Sequence, residues 1–309
     1  MSSANPDLLE PATERVLSTC VCCGSTRLAH ARAYACGDPH FAAALRPPVA
    51  VLRCAACGLT QVDHAHLDAA AFDSWRADER GERRPPRTRA AWRWLEARSR
   101  VLAELSRRYH DGERVDRVFQ IGAGPGLDLV ALQRVHPKAE CWVDRFEGDV
   151  GWRSLARVGS LADGPFDRVL ITHELGRTVD PVRSVRRAIA ALRSGGLLIV
   201  EVANDLDAFL ARRAAFEPQL TFFTVHTLHK FFATNFGDEL RELHLATAGP
   251  RVDDAAPAPG PWRERLLAGL FRHRRRPAVD ATDDPAADDR ALARIVLRRL
   301  RAKPDDRPA

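Results

Sequence analysis

The segment Val118-Phe119-Gln120-Ile121-Gly122-Ala123-Gly124-Pro125-Gly126 constrains the fold of this 309-residue chain more than any other. Apolar residues run into a Gly-x-Gly-x-Gly turn, and Leu127-Asp128-Leu129-Val130-Ala131-Leu132 continues behind it as a helix. That order is a buried parallel strand, a tight turn and a helix N-terminus. Glycine in such a turn leaves backbone N–H groups without a shielding Cβ, so a ligand can approach them where the helix begins. The later third glycine of the dinucleotide fingerprint is missing. A glycine turn alone is a weak signal, and its meaning depends on its surroundings.

Strands and helices alternate around it. A helix is expected from about Thr88 to Tyr109, where Trp92, Leu95, Val101, Leu102 and Leu105 fall near one face. After the first strand, Ala139 to Val143, Arg168 to Thr172 and Leu197 to Ala203 read as strands, and Val182 to Leu192 and Val225 to Phe236 as helices. Leu240 to Leu245 reads as a late strand. Strands spaced by helices imply an α/β protein with a doubly wound, largely parallel sheet. The organisation expected is a polar lead-in (1–18), a cysteine-rich unit (19–62), a helical connector (63–110), the α/β domain (111–249) and a tail (250–309). The connector includes a short helix from Leu67 to Trp75. The tail is rich in Pro, Ala and Asp over 250–261 and 277–290, which predicts partial disorder. Two amphipathic helices are expected to interrupt it. In the first, 262–276, Trp262, Leu266, Leu267, Leu270 and Phe271 form an apolar stripe among arginines, suited to an anionic membrane surface or to docking on protein. The second, 289–302, carries Leu292, Ile295, Val296 and Leu300.

No apolar run approaches the ~20 residues that span a bilayer. Met1 to Glu10 has neither the basic start nor the apolar core of an export signal, so a cytoplasmic location is expected. A net charge of +6 permits a nucleic-acid or anionic-membrane partner without requiring one. Six of the seven cysteines precede residue 58, and an uneven set without an export signal argues for metal ligation over disulfides. Cys20-Val21-Cys22-Cys23-Gly24 and Cys54-Ala55-Ala56-Cys57-Gly58 form two Cys-x-x-Cys-Gly knuckles. Four thiolates from Cys20, Cys23, Cys54 and Cys57 make a closed tetrahedral set, the form of a structural zinc site. Cys22 stands as an alternative to Cys20 or Cys23, whereas Cys36 and Cys141 read as small apolar residues. Between Cys20 and Gln61 there are four arginines, no lysine and little aromatic interleaving, so no nucleic-acid partner is expected from this unit.

Asp144 follows Glu140-Cys141-Trp142-Val143. Beyond it come Phe166-Asp167 with the next strand, Asp180-Pro181, then Leu192-Arg193-Ser194-Gly195-Gly196 leading into a further strand. Phe222-Phe223-Thr224, a helix and Asn235-Phe236 close the series. These ordered landmarks over residues 115–245 resemble class I S-adenosylmethionine-dependent methyltransferases. With the two knuckles and Cys54 to Gln61, the chain resembles their zinc-ribbon members, which act on sugars and other secondary metabolites. The resemblance implies a Rossmann-like sheet, Gly122, Gly124 and Gly126 against S-adenosylmethionine, and Asp144 accepting from the ribose hydroxyls. It also implies a small-molecule methyl acceptor.

The chain departs from that pattern at several points. Gly176-Arg177 stands where the family commonly has Glu-His, and Gln219 where it has a His before the Phe-Ser/Thr motif. The stretch from Arg145 to Pro165 is short for the helix, strand and adenine-contacting acidic turn usual there, and Asp163 is its only acidic residue near the expected strand end. These departures leave open a degenerate member that keeps the fold as a scaffold or partner subunit. For an enzyme whose acceptor loses a proton, His173 is the candidate base, with Glu174 beside it to orient its ring. His226 and His229 are further candidates.

Overall fold

The computed structural model describes residues 19–33, 50–63, 89–110, 112, 114–122, 126–144, 155–204, 219–247 and 292–300. The lead-in, the expected helix from Leu67 to Trp75, Cys36, Gly124, the low-complexity stretches of the tail and the amphipathic helix over 262–276 lie outside the described residues. In chain order the elements are β1 (Leu28–Ala33), β2 (Ala50–Cys54), β3 (Thr60–Val62), α1 (Arg89–Arg108), β4 (Arg117–Ile121), α2 (Leu127–Val135), β5 (Glu140–Val143), β6 (Ala156–Val158) and β7 (Phe166–Thr172). Then follow α3 (Pro181–Ala191), β8 (Leu192–Ala203), β9 (Thr221–Phe222), α4 (Val225–Phe236), β10 (Leu240–Thr247) and β11 (Leu292–Arg299). Local chemistry sets several boundaries. Asp180 accepts from the Arg183 N–H and Pro181 fills the first position of α3. Thr224 and Thr227 cap α4 reciprocally.

The large sheet has the strand order β10-β11-β8-β7-β4-β5-β6. From β6 to β8 every pairing is parallel. The chain starts in the middle at β4, winds outward through β5 and β6, then returns to β7 and β8, which is the Rossmann-like doubly wound arrangement expected. One face packs on α1 and α2 through Leu102, Leu129, Leu132, Leu170, Ile199 and Val296. The other packs on α3 and α4 through Phe119, Val169, Val200, Phe231 and Ile295.

The structure departs from the expectations above in four places. The expected second tail helix, 289–302, is β11, which lies antiparallel between β8 and β10. Leu292, Ile295 and Val296 fit a helical period, but a short apolar run buried on both faces of a sheet fits it equally. The α/β domain therefore reaches beyond 111–249, and α1 belongs to it as well, since that helix covers the sheet beside α2. The stretch after Asp144 does contain a strand, β6, paired with β5. Finally, the cysteine-rich unit is no separate bead. Its strands form an antiparallel sheet, β1-β2-β3-β9, whose last strand comes from the α/β domain, and Cys20, Cys54 and Leu59 share a core with α4.

The α1–α2 contact carries a pH dependence. His136, just past α2, is buried with Nε2 2.9 Å from Ser106 Oγ on α1. Burial, helped by Arg168 and His110, lowers its pKa from 6.5 to about 4. The unfolded chain therefore takes up this proton first. The resulting stability is complete above pH ~6.5 and is lost as pH falls towards ~4, by about 2–3 kcal/mol. Replacing His136 with Asn is expected to flatten the urea midpoint against pH across that window; an unchanged slope would assign the pH dependence to other groups.

Candidate functional site

The first glycine of the turn closes on its neighbours. Gly122 has φ 73°, and a Cβ there would lie 2.3 Å from Glu174 Cγ and 2.8 Å from the Thr172 carbonyl oxygen. Gly126, at φ 76°, opens α2. At the end of β5, Asp144 Oδ1 accepts from the Gly122 N–H at 3.2 Å. The structure thus brings Gly122, Gly126 and Asp144 to the carboxyl edge of adjacent parallel strands, where open α/β sheets bind ligands. Gly124 lies outside the described residues.

His173 and Glu174 end β7 at the same edge. Among the described residues His173 is the one non-glycine with positive φ, 60°, a backbone state that concentrates at functional sites. The expected pairing of these two is corrected. His173 Nε2 lies 3.3 Å from Glu201 Oε1, whereas Glu174 packs on Gly122. Successive residues after a strand need not face the same way, and the left-handed backbone turns the ring over β8. Glu201 is fully buried between Arg98 Nε and Arg294 Nε. Burial opposes its ionisation, but Arg98, Arg294 and the bond to His173 hold its carboxyl well below the usual range. Sequence reasoning missed this cluster. Its signal was a lone charge inside each of two apolar runs, Glu201 in β8 and Arg294 in β11, since a buried charge demands a partner.

The other candidates separate. His229 on α4 pairs through Nδ1 with Glu242 Oε2 at 2.8 Å on the surface, away from β7. His226 is exposed in the first turn of α4, whose Val225 N–H bonds Asn204 at the end of β8. Asp163 receives the Ser160 N–H at 2.6 Å and closes a capping box, so its carboxylate serves the turn after β6. The departures at Gly176 and Gln219 meet in space. A Cβ on Gly176 would lie 2.8 Å from the Thr221 carbonyl and 3.1 Å from Gln219 Oε1. Gly176 is small because β9 and Gln219 lie against it, and its carbonyl takes the Leu220 N–H at 2.8 Å.

The four knuckle thiols converge. Cys20, Cys23, Cys54 and Cys57 bring their sulfurs within 4.8 Å of one another, with Cys20–Cys57 at 3.5 Å and Cys23–Cys54 at 3.6 Å. A tetrahedral ion with bonds of about 2.3 Å separates its sulfurs by roughly 3.8 Å, so the set fits. Burial raises the pKa of Cys54, but hydrogen bonds from the N–H groups of Cys57 and Ala56 and from the Cys23 and Cys57 thiols bring it to about 7, whereas burial pushes the Cys20 and Cys57 thiols up. Gly24 and Gly58 close the knuckles at φ 68° and 80°. Cys22 and Cys141 are buried among apolar residues, in keeping with packing roles. Gln61, on β3, ties the first knuckle down by accepting from Val21 N–H and donating to the Thr19 carbonyl.

No protein-family model matches the chain, and no curated protein matches it. Among solved structures it is similar to the plantazolicin methyltransferase BpumL in complex with a monoazolic desmethylPZN analog and SAH, with TM-score 0.46 and 12% identity over 75% of this chain and 95% of that one. It is also similar to the mitomycin 7-O-methyltransferase MmcR, with TM-score 0.39 and 15% identity over 65% of this chain and 54% of that one. A third is the S-adenosylmethionine-dependent methyltransferase SibL, with TM-score 0.40 and 16% identity over 68% and 56%. The chain spans little more than half of the latter two. Among the described residues no helix is long and apolar enough to cross a membrane.

Proposed function

We propose that the chain binds S-adenosylmethionine at the glycine turn and transfers its methyl group to a small-molecule acceptor, a sugar or other secondary metabolite. The observation that carries this reading is the 3.2 Å bond between the Gly122 N–H and Asp144, which sets a strand-end carboxylate beside the Cβ-free residue that opens the turn. Asp144 would take the ribose hydroxyls and the turn would admit the remainder to the backbone at the start of α2. The sulfonium supplies an electrophilic methyl group. The chain's own task is then to orient the acceptor and, where the acceptor loses a proton, to receive it. With Nε2 directed at Glu201, His173 keeps Nδ1 for that proton, and the ionised Glu201 stabilises the imidazolium that forms. A structural zinc held by Cys20, Cys23, Cys54 and Cys57 would fix the ribbon. The use of Asp163 as a cap favours a second reading, a fold that has kept its shape and lost its chemistry.

Calorimetric titration with S-adenosylhomocysteine decides between them. Binding is expected in wild type, and Asp144→Ala should weaken it by about 1–3 kcal/mol, the loss of a charged hydrogen bond. Heat-silent titration at millimolar ligand would support the second reading. With an acceptor in hand, His173→Ala should lower turnover about 10²–10⁴-fold at unchanged cofactor affinity.

A further inference from the structure

We infer that Arg98 is a positioning residue that couples the glycine turn to the His173 edge of the cleft by binding one carboxylate from each. The inference rests on the reading that this cleft holds S-adenosylmethionine. Arg98 lies buried in the middle of α1, a helix that supplies neither the turn nor the candidate base. Its Nε meets Glu201, the carboxylate under the His173 ring. Its Nη1 and Nη2 reach Asp128 Oδ1 and Oδ2 at 3.2 and 3.3 Å. Asp128 is the second residue of α2, directly behind the glycine turn, and Ser99 Oγ and Gln120 Nε2 also donate to it at 2.5 and 2.8 Å. The Gln120 amide donates to Thr172 Oγ1 at 3.0 Å, and that hydroxyl bonds the Gly122 carbonyl at 2.9 Å.

One planar guanidinium can bind two carboxylates along two of its edges in a fixed geometry, whereas a lysine ammonium is a compact point charge without that rigid fork. Removing it leaves Asp128 and Glu201 buried with less countercharge, so the start of α2 and the end of β8 each relax separately. With it in place, a displacement of Asp128 is felt at Glu201 and therefore at His173. A residue with a merely structural role would lower stability without linking the two sides.

Crossed measurements on the full chain test this. The readouts are the ring ¹H–¹³C resonance of His173, amide exchange at Gly122 and affinity for S-adenosylhomocysteine. Asp128→Asn is expected to move the His173 ring resonance. Glu201→Gln is expected to speed Gly122 exchange and weaken the ligand, each by about tenfold, as befits residues in one charge network. Both crossed effects should fall several-fold in the Arg98→Lys background, which keeps a buried cation if Arg98→Met fails to fold, the remainder passing through Gln120 and Thr172. Effects confined to each substitution's own side, or crossed effects undiminished without Arg98, would overturn the coupling. If wild type takes up no S-adenosylhomocysteine, the proposed function fails, while the ring resonance and amide exchange still decide the role of Arg98.

Discussion

Protein carrying Cys54→Ser and Cys57→Ser is expected to lose a zinc ion that the unsubstituted chain holds at about one per molecule, and to lose the ordered ribbon with it. Four thiolates that converge in a buried pocket repel one another without a cation between them, and structural zinc returns on the order of 10 kcal/mol to such a fold. The damage should spread. β3 pairs with β9, the Val62 N–H bonds the Leu220 carbonyl, and the Leu220 N–H bonds Gly176, two residues from the Glu174 that packs on Gly122. Lys230 and Asn235 on α4 hold the carbonyls of Ala56 and Cys22. Amide exchange should therefore rise over β1 to β3, at β9 and around Gly176. Metal analysis reads the first effect; wild type prepared in reducing, chelator-free buffer and found free of zinc would refute the assignment.

A chain ended at residue 291 is expected not to fold at all. It would lack β11, whose Leu292, Ile295, Val296 and Leu297 are buried on both faces of the sheet. At about 1.5–3 kcal/mol per large apolar side chain, their loss alone rivals the ~5–15 kcal/mol that holds a typical domain together. Glu201 would lose Arg294 as well. Circular dichroism should show no cooperative melting, and Val296→Asp in the full chain should reproduce much of the defect. A cooperative transition in the shortened chain would mean that the sheet closes without this strand.

What was legible in the sequence was periodic or punctuated. The parallel strands β4, β7 and β8 and the helices α1, α3 and α4 carry clear apolar patterns with Asp-Pro, Thr or glycine at their ends, and their bounds agree within a few residues, except that β8 begins at Leu192 rather than Leu197. The two knuckles announced themselves by spacing, and their four sulfurs do meet. What was hidden depended on partners remote in the chain. Residues 292–299 form a strand because they fill the place between β8 and β10, which no local pattern reveals. Sequence adjacency points His173 at Glu174, whereas sheet register puts Glu201 across from Thr172. Gly176 and Gln219 read as two separate lapses, yet they are one contact.

The position of β11 also sets a clock on synthesis. β8 ends at Ala203 and its neighbour begins at Leu292, so about 90 residues must be translated between them. At roughly 5–20 residues per second, the ribosome leaves the apolar β8 segment without its partner, and the sheet unable to form, for roughly 5–20 s. Throughout that interval an apolar strand presents unpaired N–H and C=O groups to any other nascent chain. Expression yield should therefore follow translation speed over 204–291 and chaperone supply more closely than it follows the stability of the finished sheet.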